Sequence, residues 1–185
     1  PLDWQTYYAN FIRPERREAS LRTLAPGAPL HALDPALDVR EGDLRLRKYR
    51  FSAFTRNPED PEALLRARGI DTVVVAGVAT NICCESTARD AMMRDFRVFM
   101  PHDAVTAGSA EAHGAGLLAV AQVFADIRPV AALLRLLSCI QIAGQTDTCV
   151  CQSGGHLFHR KLRGIGRQIQ GECSGCNRIF GLCTF

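Results

Sequence analysis

The chain has 185 residues, 47% of them hydrophobic and 22% charged, with a formal net charge of +3. That length fits one ordinary domain plus a tail, and it is enough to bury a core without disulfides or metals. No apolar run approaches the roughly 20 residues that span a bilayer, and so small a charge is no nucleic-acid footprint, so neither membrane nor nucleic acid is an expected partner.

In chain order, residues 4–12, "WQTYYANFI", read as a short helix stopped by Pro14. Between Pro14 and Asp43, the residues Pro26, Gly27, Pro29, Pro35 and Gly42 interrupt any long period, which predicts an irregular covering segment. "LRLRKYRFSAF" (44–54) alternates apolar and basic residues, as a strand and its exit would. Asp60 is placed to cap a helix with Pro61 at its first position, and Gly69 to stop it after "EALLRAR". "TVVVAGV" (72–78) is the run of β-branched and small residues expected of a strand buried on both faces. A helix over 82–94 and a strand over 97–100 follow. A helix over 109–124 comes next, with Leu117, Val120, Ala121 and Phe124 at helical spacing. "DIRPV" reads as a short strand or bridge and "VAALLRLL" as a last apolar helix. This alternation predicts a three-layer α/β/α domain around a mostly parallel sheet.

The character changes after Leu137, dividing the chain into a domain over 1–137 and a Cys-, Gly- and Arg-rich tail over 138–185. Only Cys83 and Cys84 lie in the body; the other six cysteines lie in the tail. The body reads as a reduced cytosolic domain, and the opening "PLDWQTYYANF" has neither the basic start nor the apolar stretch of a signal peptide, so cytoplasm is the expected location. Within the tail, Cys149 and Cys151, His156 and His159, and Cys173 and Cys176 have pairwise spacings that suit zinc, but the gaps between pairs fit no known module. No metal and no cofactor are therefore assigned, and the tail is expected to be poorly ordered.

Chemistry is expected at "GVATNICC" (77–84), where the buried strand turns into a helix, because open α/β sheets bind ligands at the carboxyl ends of their strands. A cysteine in a first helical turn faces the positive end of the helix dipole, which favours thiolate over thiol. Free backbone N–H groups in such a turn are also ready to hold an oxyanion. Neighbouring helical residues point about 100° apart, so one sulfur is expected to face the crevice and the other to pack. Position alone leaves open a plainer reading, two small core residues.

Two longer stretches carry a resemblance. "KYRFSAF" (48–54) resembles the lysine motif of the isochorismatase-like cysteine hydrolases, and "GIDTVVVAGVATNICCESTARDA" (69–91) resembles their nucleophile motif. "FRVFMPHDAVTAG" and "EAHGAGL" are similar to the strand and helix that follow, so the likeness runs from about Trp4 to Leu137. The resemblance implies Cys83 as nucleophile and Lys48 as catalytic lysine. It also implies a non-proline cis peptide at Val78–Ala79 and an oxyanion hole from the amides of Ala79 and Cys83. The implied reaction is hydrolysis of small amide or carbamoyl compounds through an acyl-enzyme, as in ureidoacrylate and N-carbamoyl-amine amidohydrolases, with Phe54 and Asn81 as pocket residues. Homo-oligomers are common in the family and are implied here. Without the resemblance, Lys48 reads as part of a solvated basic face with Arg45, Arg47 and Arg50.

One departure bears on activity. The family's chain opens with an apolar strand ending in a proton-transferring aspartate, whereas Asp3, Asp34, Asp38 and Asp43 all sit in turn-like contexts. A member shortened at its first strand is the expectation, with an exposed sheet edge and impaired turnover, or a catalytically silent remnant or interaction protein of the same fold. His31, His102, His113 and Asp103 read as structural, His113 on a helix surface or in a local contact.

Overall fold

The computed structural model describes residues 4–141 apart from 24, 34, 36, 38 and 40, and then 150–151 and 179–184. Its helices are α1 (Gln5–Asn10), α2 (Pro14–Thr23), α3 (Pro61–Ala67), α4 (Glu85–Met92), α5 (Ala110–Ala121) and α6 (Val130–Gln141). Its strands are β1 (Thr72–Val78), β2 (Arg97–Pro101), β3 (Val105–Thr106), β4 (Asp126–Arg128), β5 (Val150–Cys151) and β6 (Ile179–Thr184). The sheet runs β4-β2-β1-β6-β5, with β3 pairing the end of β1. Every pairing is parallel.

β1 is the centre of this arrangement because it has no polar face. Val73, Val74 and Val75 are all 2% exposed or less, and alternate side chains enter different clusters. Val73 and Val75 pack with Leu65 of α3, Ala88 and Ala91 of α4, and Val120 of α5. Val74 packs with Leu133 of α6, and Ala76 packs against Val130 and Leu134. Helices therefore cover both faces, giving the three layers that the alternation predicts. Each fully buried side chain of this kind contributes about 1.5–3 kcal/mol.

The capping signals around α3 act as read. The Asp60 side chain accepts from the Ala63 N–H at 3.2 Å, and Pro61 occupies the first turn. Gly69 takes φ +69°, its N–H reaching Arg66 O at 2.9 Å while that of Ile70 reaches Leu65 O at 3.1 Å. This close of the helix turns Ile70 into the core, where it is buried.

Three expectations are corrected. Pro14 does not merely stop a helix. It opens α2, whose residues "PERREASLRT" are good helix formers behind a first-turn proline. No residue of α2 is buried, so it left no apolar period to read. Residues 44–50 form no strand among the described residues, although Leu46 and Arg50 are buried between more exposed neighbours. Their alternation reports which side faces the core, not pairing. Finally, β1 has no open edge. On one side it pairs with β2, and on the other with β6, from Thr72↔Ile179 to Gly77↔Thr184. The residues of "IFGLCT" include β-formers. The division at residue 137 falls within α6, and β5 and β6 join the sheet from beyond it. Of the tail pairs singled out for their spacing, Cys149, His156, His159, Cys173 and Cys176 lie outside the described residues.

Leu65 is completely buried where α3 meets the sheet. Leu65→Ala is expected to lower unfolding free energy by about 2–5 kcal/mol, read from the shift of a urea unfolding midpoint.

Candidate active site

The carboxyl end of β1 runs into a tight turn. The Val78–Ala79 peptide is cis, as the resemblance implied. Residues Thr80–Cys84 then form a wide, π-type helical turn that leads into α4. The Ala79 carbonyl accepts from the N–H groups of both Ile82 and Cys84, each at 3.1 Å, bracketing Cys83. Cys83 is half-buried, whereas Cys84 is completely buried among Val73, Val75 and Ala88. The two adjacent cysteines are thus divided between the crevice side and the core.

The lysine segment is fastened to α4. The Ala53 N–H donates to Thr87 Oγ1 at 3.2 Å, and Thr55 Oγ1 donates to Asp90 Oδ2 at 2.8 Å. Thr87 lies in the first turn of α4, which begins directly after the turn that holds Cys83. Within the segment, Lys48 Nζ donates to the Phe51 carbonyl at 3.3 Å and is part-buried. Its basic neighbours go elsewhere. Arg47 pairs with Glu59, a hydrogen bond that raises the Arg47 pKa above its ordinary value. Arg50 is buried, donates to the Tyr49 carbonyl at 2.8 Å and lies 4.9 Å from the Trp4 ring centre. A uniformly solvated basic face is not what this segment forms.

Aromatic rings stand beside the Lys48 acceptor. Phe51 meets Trp4 and Tyr7 edge-on, at centroid distances of 4.8 and 5.4 Å, and Trp4 stacks on Tyr7. Burial pushes the Tyr8 phenol up, Tyr7 adds to the effect and Arg50 opposes it. Phe54 is buried in the main core with its ring centre 5.8 Å from that of Phe96. Asn81 is exposed in the turn.

Asp103 accepts from the Val130 N–H at 2.9 Å at the start of α6, a capping role consistent with the turn-forming reading. Sequence reasoning did not identify Thr80, Thr87, Asp90 or Gly116. A usable signal for the first tether was present, since Thr87 and Asp90 share a helix face in the same turn region. Gly116 announces nothing by composition. A Cβ there would meet the Asn81 backbone, 2.8 Å from its Cα. No group of three or more metal-ligating side chains occurs among the described residues.

Comparison with known proteins bears directly on this arrangement. Residues 3–132 match the isochorismatase domain. The chain belongs to the isochorismatase family. It is 39% identical over 127 residues to a ureidoacrylate amidohydrolase of Methylobacterium radiotolerans, covering 67% of this chain and 48% of the relative. It is 36% identical over 125 residues to the ureidoacrylate amidohydrolase of Klebsiella pneumoniae, covering 67% and 52%. The chain therefore spans about half the length of these curated relatives. Among solved structures, it superposes on a cysteine hydrolase from Pseudomonas syringae pv. phaseolicola with a TM-score of 0.58 and 28% identity, covering 66% of this chain and 63% of that one. An isochorismatase-like hydrolase from Alkaliphilus metalliredigens gives a TM-score of 0.54 and 31% identity, covering 59% and 63%.

Two substitutions test how the site is held. Thr87→Val removes the acceptor of a buried N–H and is expected to cost about 1–3 kcal/mol, visible in denaturant unfolding, with faster proteolysis of the 48–55 segment. Gly116→Ala presses a methyl group into the Asn81 backbone and is expected to cost about 1–3 kcal/mol. Gly114 faces open space. Gly114→Ala on the same helix is expected to raise stability by about 0.5–1 kcal/mol in the same assay.

Proposed function

We propose that the chain carries the catalytic centre of a cysteine hydrolase acting on small non-peptide carbon–nitrogen bonds, amide or carbamoyl. The observation that carries this reading is the division of the two cysteines. Cys83 stays half-open in the turn after the cis peptide, while Cys84 is sealed in the core. The names of the relatives point to the substrate class, and ureidoacrylate is the first compound to try.

In this reading Cys83 Sγ attacks the carbonyl carbon, and the backbone N–H groups of Ala79 and Cys83 donate to the oxyanion that forms. The carbon–nitrogen bond breaks as the nitrogen takes up a proton from solvent, ammonia or an amine leaves, and water then releases the acid from the thioester and restores the thiol. Lys48 supplies the positive charge of the site, and a cation close to a thiol favours its charged form. Asn81, exposed in the turn, completes the reading as a pocket residue, whereas Phe54, which the motif also suggested, is packed in the main core against Phe96. The substrate is a small molecule, no cofactor takes part, and the working form is a homo-oligomer in the cytoplasm.

A second reading, a catalytically silent member of the fold, draws support from the carboxylates. Asp60 caps α3, Asp90 holds Thr55, Asp103 caps α6 and Asp126 pairs with Arg128. Each has a structural partner, and a positioned acid or base supplies about 10²–10⁴ in rate.

Iodoacetamide near neutral pH, with the adduct mapped by peptide mass, is expected to label Cys83 well before Cys84. Ammonia release from ureidoacrylate is expected to disappear in Cys83→Ala. Equal labelling of the two cysteines would sink the hydrolase reading. Selective labelling of Cys83 with no ammonia release from amide or carbamoyl substrates would favour the silent member.

A further inference from the structure

Helix α5 contributes no residue to the chemistry just proposed, yet it touches the sulfur-bearing turn at two consecutive levels. His113 Nδ1 lies 2.9 Å from Thr80 Oγ1, and Thr80 is completely buried. Three residues on and on the same face, Gly116 lies so close to Asn81 that no side chain fits between them. One turn beyond, Val120 is buried in the main core, with Leu117 packed against the same cluster. The face 113–116–120 is therefore anchored at its far end and applied to the turn at its near end. Ser109 fixes the start of the helix, accepting from the Ala112 N–H at 3.2 Å.

We infer that His113 is a positioning residue for Cys83, acting through its hydrogen bond to Thr80. The inference rests on the hydrolase reading and deepens it. Thr80 directly follows the carbonyl that brackets Cys83. A rotation of Thr80 would carry the Ala79 carbonyl with it, and so shift the N–H groups of Ile82 and Cys84 that bind there. Close packing at Gly116 limits how near the turn can come but is not directional. A polar bond to a buried hydroxyl has a direction as well as a distance, and it selects one orientation. Gly116 permits the close approach, and His113 sets the angle.

The test compares His113→Leu with His113→Asn in the full chain. Asparagine presents a polar atom where imidazole places Nδ1, whereas leucine fills similar space without one. The readouts are the iodoacetamide rate constant at Cys83, with Cys84 as internal reference, the thermal midpoint, and ammonia release from ureidoacrylate. Misplaced against a bound substrate, a nucleophile loses roughly ten- to a hundred-fold in kcat. His113→Leu is expected to lose kcat by that order, more than it raises KM, and to slow the labelling of Cys83 relative to Cys84, and His113→Asn to recover most of both. An unchanged Cys83 rate in His113→Leu would overturn the inference while leaving the hydrolase reading standing. Equal losses in both variants, tracking the thermal midpoint, would also overturn it, as the mark of packing alone. Equal reactivity of Cys83 and Cys84 in the unaltered chain would remove the hydrolase reading, and this inference with it. If leucine at 113 prevents folding, Thr80→Ser against Thr80→Val interrogates the same bond from its other end, with the same expected order.

Discussion

Helices on both faces of the sheet require β1 to be apolar on both sides, and that requirement governs the rest of the structure. From Val73 to Val78 such a strand carries no polar side chain, so beyond Thr72 at its start polar side chains reappear only where it leaves the sheet. The chain there must turn, start a helix and satisfy its N–H groups within a few residues. The wide turn over Thr80–Cys84 is the local solution, and two adjacent cysteines are consequently separated into one half-open and one sealed sulfur. Position relative to the strand end, rather than any property of cysteine itself, distinguishes them.

The site is assembled from three directions around that turn. Segment 48–55 is tied to α4 by two hydroxyl-containing bonds, α5 descends on the turn through His113 and Gly116, and β1 enters from the core. None of these ties is a large energy by itself. Their value is that each restrains a different degree of freedom, so the turn is held by convergence rather than by one strong contact.

Much of the fold was legible in the sequence where burial forces a pattern. "TVVVAGV" is continuous because both of its faces are covered, and Asp60, Pro61 and Gly69 mark α3 because backbone termini need caps and a left-handed exit. What the sequence hid is equally physical. α2 buries nothing, so it has propensity but no period. The segment 44–50 alternates because one side packs, while pairing depends on a neighbour that local sequence does not name. Cys83 and Lys48 were singled out only because long motifs surround them; composition alone left the lysine as one of several cations. The contacts of His113, Thr87 and Gly116 are between elements, and no spacing along one element reveals what another element brings to it.

The pairing of β1 with β6 carries a consequence for how the molecule is made. Thr72 meets Ile179, so the middle of the sheet is sealed by a strand that leaves the ribosome long after β1 does. Throughout that interval this apolar strand offers an unsatisfied row of amides and carbonyls along that side to any passing chain. Synthesis, rather than the finished fold, is then the stage at which this protein is most exposed to aggregation.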